Sequence, residues 1–397
     1  MPLNGGVYVR SLPPVAARID RELADIEETL DWLDQLSPID NDQMWADFEE
    51  SSYRCEPTLR YAHPKSNLKP LRERLLELPV LEIEHPLLEA VLREKQRELD
   101  LQIGLVELRD SPGFVAASLD LFGGSDPSVT RTASAILEKL GPDEPEDELA
   151  SCDHLVDRAR DEIAWYRDHA PDFHARIILE DDLSSQLMVS RGNLHIARSA
   201  TVPRKRVAPL VAHEVGTHVL TRYNGLHQPL RLLSIGLAHY DPMQEGLAAL
   251  MEYVAGFLPP RRLRILAARV IASDLAVSGR GVVPIFDHLF GDLGLLAHDA
   301  FDVAVRARRG GGLTKDSVYL PGLREVLRYL ADGGAIEFLF LGKFSLRQRS
   351  VLECLVAEGW VAPATLLPRD LHTEAGRRRL EHARRTPVRD LFQREPE

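Results

Sequence analysis

The residues in this chain best suited to catalysis lie in "VAPLVAHEVGTHVLTRYNG", Val207 to Gly225, where His213 and Glu214 are followed by His218. A hydrolytic zinc centre takes three protein ligands and a water, with a general base beside the water. This stretch supplies two imidazoles and a carboxylate. The spacing is unusual. A straight helix turns about 100° per residue, so histidines five apart diverge by about 140°, against about 40° for four apart. One π-type bulge absorbs the extra residue and restores convergence, and such bulges gather at functional sites. Gly216, between the histidines, eases that distortion. The competing reading is two unrelated histidines on an ordinary helix.

A third ligand must come from elsewhere in the chain. Glu245 in "MQEGLAALMEY" is the best candidate, one turn into its helix, with Gly246 after it allowing close approach to the histidine helix. Glu252, seven residues on and on the same face, suits a partner that fixes a histidine tautomer. Its alternative is a surface carboxylate. Asp241 reads as a helix cap, with Pro242 at the first helical position and Gly256 as the stop.

These groups need elements to hold them. "ARIILE", "QLMVS" and "LHIARS" read as strands, the last two joined by a hairpin at Arg191-Gly192-Asn193. Asn224-Gly225 reads as a left-handed stop for the histidine helix. Residues 14 to about 100 carry apolar residues at spacings of three and four and predict helices joined by turns. "GPDEPEDELASCDH", Gly141 to His154, reads as a solvated acidic linker, with helix initiation after it as the alternative. The expected fold is α+β and mostly helical. The expected organisation is an N-terminal helical region at 1–110, a catalytic domain at 111–368 and a polar, arginine-rich, partly frayed tail at 369–397, whose interleaved acids from Asp370 on suggest a solvated helix.

With 397 residues, 44% hydrophobic and 27% charged, the chain suits a soluble globular protein. Its net charge of -13 argues against a general nucleic-acid or anionic-membrane binder. Three scattered cysteines give neither a disulfide framework nor a thiolate zinc knuckle. The absence of a leader or spanning segment predicts a cytoplasmic protein. "RRGGGLTKDS" lacks the glycine spacing and the ending of a phosphate-binding loop.

Together "HEVGTHVLTRYNG", "QEGLAA" and "TKDSVYLPG" resemble the bacterial QEGLA-motif family, labelled flavohemoglobin expression-modulating, across about Pro112 to Pro368. That family is similar to the microtubule-associated tyrosine carboxypeptidases, zinc enzymes with the same lengthened His-Glu motif. The resemblance implies His213, His218 and Glu245 as ligands of one Zn2+ per chain and Glu214 as general base. It also implies a gluzincin-like fold, in which a sheet-edge strand before the active helix binds the substrate backbone. The strand within Leu194 to Arg198 is the candidate.

The expected chemistry is peptide hydrolysis at a peptide or protein C-terminus. Tyr319, His239 and Tyr240 are candidate donors to the oxyanion, each with packing as its alternative. Lys315, in the segment that matches a family motif, and then Arg222 are candidates for the terminal carboxylate. Tyrosine is the residue that the resemblance suggests is released. A surplus of 13 acids sits poorly with the acidic tail that tubulin-directed relatives accept. The alternative is a non-catalytic regulatory or scaffold protein that retains the metallopeptidase fold. Glu214 favours catalysis, because a binding-only protein has no need of a general base. The oligomeric state is left open by the sequence.

Overall fold

A computed structural model describes residues 9–62, 67–144, 148–181, 183, 185–256 and 258–392. The architecture is α+β and mostly helical. The strands are β1 (Leu149–Ser151), β2 (Ile177–Glu180), β3 (Leu187–Ser190), β4 (Asn193–Ala197) and β5 (Thr201–Pro203). They form one three-stranded sheet in the order β2-β4-β3 and one antiparallel ribbon of β1 with β5. A single core runs from Leu12 to Leu391. Among the described residues no helix is long and apolar enough to cross a membrane.

The hairpin forms where its turn signal lies. Arg191 and Gly192 both take positive φ (50° and 79°), the pairing that matches the strands' right-handed twist. The edge-strand expectation is overturned. β4, which contains Leu194, is the central strand, paired with β3 antiparallel and with β2 in parallel. The β-branched run at 177–180 returns alongside β4 and covers the side that was expected to be open. The sheet edge that meets the histidine helix is β3.

Other expectations change for similar reasons. The acidic segment after Gly141 is anchored at both ends: Asp143 makes a buried ion pair with Arg264 at 2.9 Å, and β1 pairs with β5. Residues 145–147 of it lie outside the described residues. The C-terminal segment forms the expected helix, Glu374–Ala383, but a docked one: it buries Leu380 and Ala383 and has His382 Nδ1 2.6 Å from the Tyr253 hydroxyl. Residues 393–397 of it are likewise outside the described residues. Gly225 is not left-handed and sits inside the helix Leu220–Leu226, where a Cβ would lie 2.3 Å from the Leu233 carbonyl. Asn224 is buried, and its side chain bonds to Phe340 and Leu366 backbone.

Two N-terminal helices, Pro14–Leu30 and Pro86–Glu107, pack under residues 231–240. Asp20 accepts from the N–H groups of Arg231 (2.7 Å) and Leu232 (3.0 Å). Lys95, fully buried, pairs with Glu27 (2.8 Å) and Glu98 (2.7 Å), and Glu98 accepts from the His239 N–H at 2.7 Å.

Candidate metal centre

The histidine helix is not uniform. Val207–His213 is α-helical, Glu214–Val219 is a π turn, and Leu220–Leu226 is α-helical again. The wide turn brings the two imidazole centroids to 4.9 Å. Thr217 helps to support it by donating its hydroxyl to the Ala212 carbonyl at 3.1 Å. Gly216 has only ordinary van der Waals neighbours around an added Cβ, the nearest being the Tyr166 hydroxyl at 3.6 Å.

Glu245, on the helix Asp241–Ala255, completes the cluster. Its Oε2 lies 3.7 Å from His213 Nε2 and 3.7 Å from His218 Nε2. Among the described residues this is the one group of His, Cys, Asp or Glu donor atoms that converges, all three within 4.8 Å of one another. Donors about 2.1 Å from a tetrahedral zinc stand about 3.4 Å apart, so small side-chain shifts suffice. Glu245 Oε2 is buried and has no hydrogen-bond partner, which a cation would supply. The donor set and its geometry fit zinc.

Each imidazole is held from behind. His213 Nδ1 lies 2.8 Å from Glu252 Oε1, and this carboxylate is fully buried between Arg206 and Arg262, the latter 2.8 Å away. With Nδ1–H donated to Glu252, the Nε2 lone pair faces Glu245. His218 Nδ1 meets the side-chain amide of Gln244 at 3.1 Å. Turned so that its oxygen faces the ring, that amide accepts Nδ1–H and frees the other nitrogen for a metal. Gln244 went unrecognised in the sequence, although it adjoins Glu245 in "MQEGLA". Arg206 and Arg262 carried no sequence signal at all.

Residues 46–385 match the family model described as microtubule-associated tyrosine carboxypeptidase. The chain belongs to the microtubule-associated tyrosine carboxypeptidase family. The human protein named microtubule-associated tyrosine carboxypeptidase 1 is 32% identical over 168 residues, a stretch covering 38% of this chain and 34% of the human one. The mouse and rat proteins of that name are 31% and 30% identical over the same length and the same shares. The chain thus aligns with about a third of the length of each relative.

Within this member of the family, burial pushes the Glu214 carboxyl up to about 7, against the pull of His213. Its Oε1 is 4.0 Å from His213 Nε2, close enough to share a water with the metal position. Burial disfavours a charged His213, but the nearby carboxylates of Glu245 and Glu252 outweigh it and lift the group to about 9. Burial holds His218 down at about 3, against the pull of Glu245. Glu245 stays ionised despite burial, because His213, His218 and Lys315 face it.

The remaining candidates divide. Tyr319 is buried against the cluster with Arg269 over its ring at 4.5 Å, and burial followed by the Glu245 charge raises its hydroxyl to about 12. Lys315 reaches the site, but its ammonium is paired with Asp241 at 2.8 Å. Asp241 is therefore not the cap expected of it, and Tyr240 takes the cap position. Arg222 is held by Glu28 at 3.0 Å. His239, with positive φ of 58°, is fixed through its backbone by Glu98. The Tyr240 ring centroid lies 5.9 Å from Lys95 Nζ and 5.7 Å from Lys343 Nζ. Gly246 packs on Gly322 of the helix Tyr319–Ala331, not on the histidine helix as expected.

Proposed function

We propose that the protein is a zinc-dependent metallopeptidase of gluzincin type that removes a C-terminal residue from a peptide or protein. The observation carrying this reading is the convergence of His213, His218 and Glu245 beside a buried carboxylate, Glu214. Zinc held by those three residues would supply Lewis acidity toward the scissile carbonyl and toward water. Glu214 takes a proton from the attacking water and delivers it to the nitrogen as the C–N bond breaks, leaving a shortened peptide and a free amino acid. A neutral Tyr319 hydroxyl, kept protonated by burial and by the Glu245 charge, is the candidate donor to the developing oxyanion. Glu252 and Gln244 keep each imidazole's outer nitrogen occupied, so the inner nitrogens remain ligands.

The relatives' name suggests a terminal tyrosine, with a site of action in the cytoplasm. The test is zinc content by mass spectrometry for the wild type and for Glu245→Ala, followed by release of terminal residues from a peptide library. About one zinc per chain, lost in the variant, together with single-residue release, supports the reading. Stoichiometric zinc with no release from any peptide favours the scaffold alternative, and no zinc uptake removes the metal reading.

A further inference from the structure

A carboxypeptidase must meet a negative charge at one fixed place. The carboxylate carbon of the departing residue lies within about 4 Å of the scissile carbon, so its cation has to border the metal ligands. Two cations at that border are already engaged, Lys315 by Asp241 and Arg222 by Glu28. A third, Lys343, is held by no carboxylate among the described residues.

Lys343 is partly buried, and its Nζ sits 5.7 Å from the Tyr240 ring centroid. Its charge acts on His218 and Glu245 and opposes that of Arg222. Its backbone is pinned on both sides: the N–H donates to the Leu233 carbonyl at 2.7 Å, and the carbonyl accepts from Leu237 N–H at 2.9 Å. Gly342 keeps the loop tight against the same turn, since a Cβ there would lie 2.6 Å from Leu233 O. The side chain therefore leaves from a fixed base, over an aromatic face that gives support without neutralising charge.

We propose that Lys343 is the cation that receives the terminal carboxylate of the substrate, an inference that rests on the carboxypeptidase reading above. Burial, with Arg222 adding to it, lowers the Lys343 ammonium to about 8. An ammonium left this way in a desolvated wall is stabilised when an anion arrives. Lys315 and Arg222 keep structural partners and shape the walls.

The experiment uses the zinc-loaded chain and one peptide made both as free acid and as C-terminal amide. In the Glu214→Gln background, the acid is expected to bind about 10- to 100-fold more tightly than the amide, the size of one charge-assisted hydrogen bond. Adding Lys343→Gln is expected to remove that preference, and Lys343→Arg to restore part of it. In the active chain, Lys343→Gln should raise KM by a similar factor with kcat and zinc content little changed. Equal binding of acid and amide without Lys343→Gln, or an unchanged KM in an active Lys343→Gln chain, overturns the proposal. If no peptide is hydrolysed but the acid preference exists and depends on Lys343, the carboxypeptidase reading fails and the anion site stands.

Discussion

Gly246 and Gly322 bring the backbones of two helices into direct contact. A Cβ built on Gly246 would lie 2.2 Å from the Gly322 carbonyl carbon, and one on Gly322 would lie 1.8 Å from the Pro242 carbonyl oxygen. Backbone cannot yield as a flexible side chain can. Glu245 adjoins the first glycine and Tyr319 lies three residues before the second, so one contact sets the spacing of these two residues.

Gly322→Ala is therefore expected to separate the helices. The cost should reach or exceed the upper end of overpacking, about 3 kcal/mol, visible as a lower urea midpoint, and zinc affinity should fall with it. Full stability and full zinc affinity in Gly322→Ala would show that the helices are not locked here.

Glu252 holds His213 and lies between two arginines, Arg206 buried and Arg262 partly buried. Glu252→Ala leaves Arg206 and Arg262 without their shared carboxylate and is expected to destabilise the chain by about 3–5 kcal/mol. Glu252→Gln keeps a hydrogen-bond acceptor for His213 but not the charge, and zinc affinity should drop about 10- to 100-fold. Competition with a chelator measures this, and wild-type affinity in Glu252→Gln would contradict the assigned role.

Gln244 supports the other imidazole. Gln244→Ala should weaken zinc by a similar factor of about 10–100 while altering stability less than Glu252→Ala. Gln244→Glu keeps an acceptor for Nδ1–H and should retain more of the affinity than the alanine variant. The reverse order of the two would refute the tautomer argument.

Glu214→Gln separates metal from chemistry. Its zinc content should equal that of the wild type, and kcat should fall by about 100- to 10,000-fold. A variant with unchanged turnover would remove Glu214 as the base.

Asp20 provides a pH dependence far from the cluster. Burial, opposed by its hydrogen bonds from Leu232 and Arg231, pushes its pKa up from 3.8 to about 6. Between those values the folded state holds the proton more firmly than the unfolded state. The resulting stability is fully present below about pH 4 and is lost as pH rises through about 6, by up to about 3 kcal/mol. Asp20→Asn should show a smaller fall in urea midpoint than the wild type between pH 4.5 and 7. An equal fall would assign the slope to other groups.

Much of the centre could be read because it is local. The five-residue histidine spacing required one wide turn, and Glu214–Val219 forms it. Glu252, seven residues after Glu245, lands on His213 as helical periodicity predicts. What the sequence does not show depends on distant chain: Lys343 comes over the Tyr240 ring only through a loop more than 100 residues later, and Arg206 finds Glu252 from 46 residues away. The edge position of β4 is implied only by the resemblance, and the strand's own residues could not correct it, because pairing partners leave no mark on them. Asp241 reads as a cap from the sequence because its partner, Lys315, lies on another segment.

A widened turn is what one inserted residue leaves in a helix whose other turns keep their phase. Thr221 still donates to the Thr217 carbonyl, and Asn224 still reaches Phe340 and Leu366, as they would on a helix one residue shorter with no bulge. Motif length and ligand geometry are thus separable: a homologue that lost a residue between the histidines would present the same three donor atoms from a straight helix.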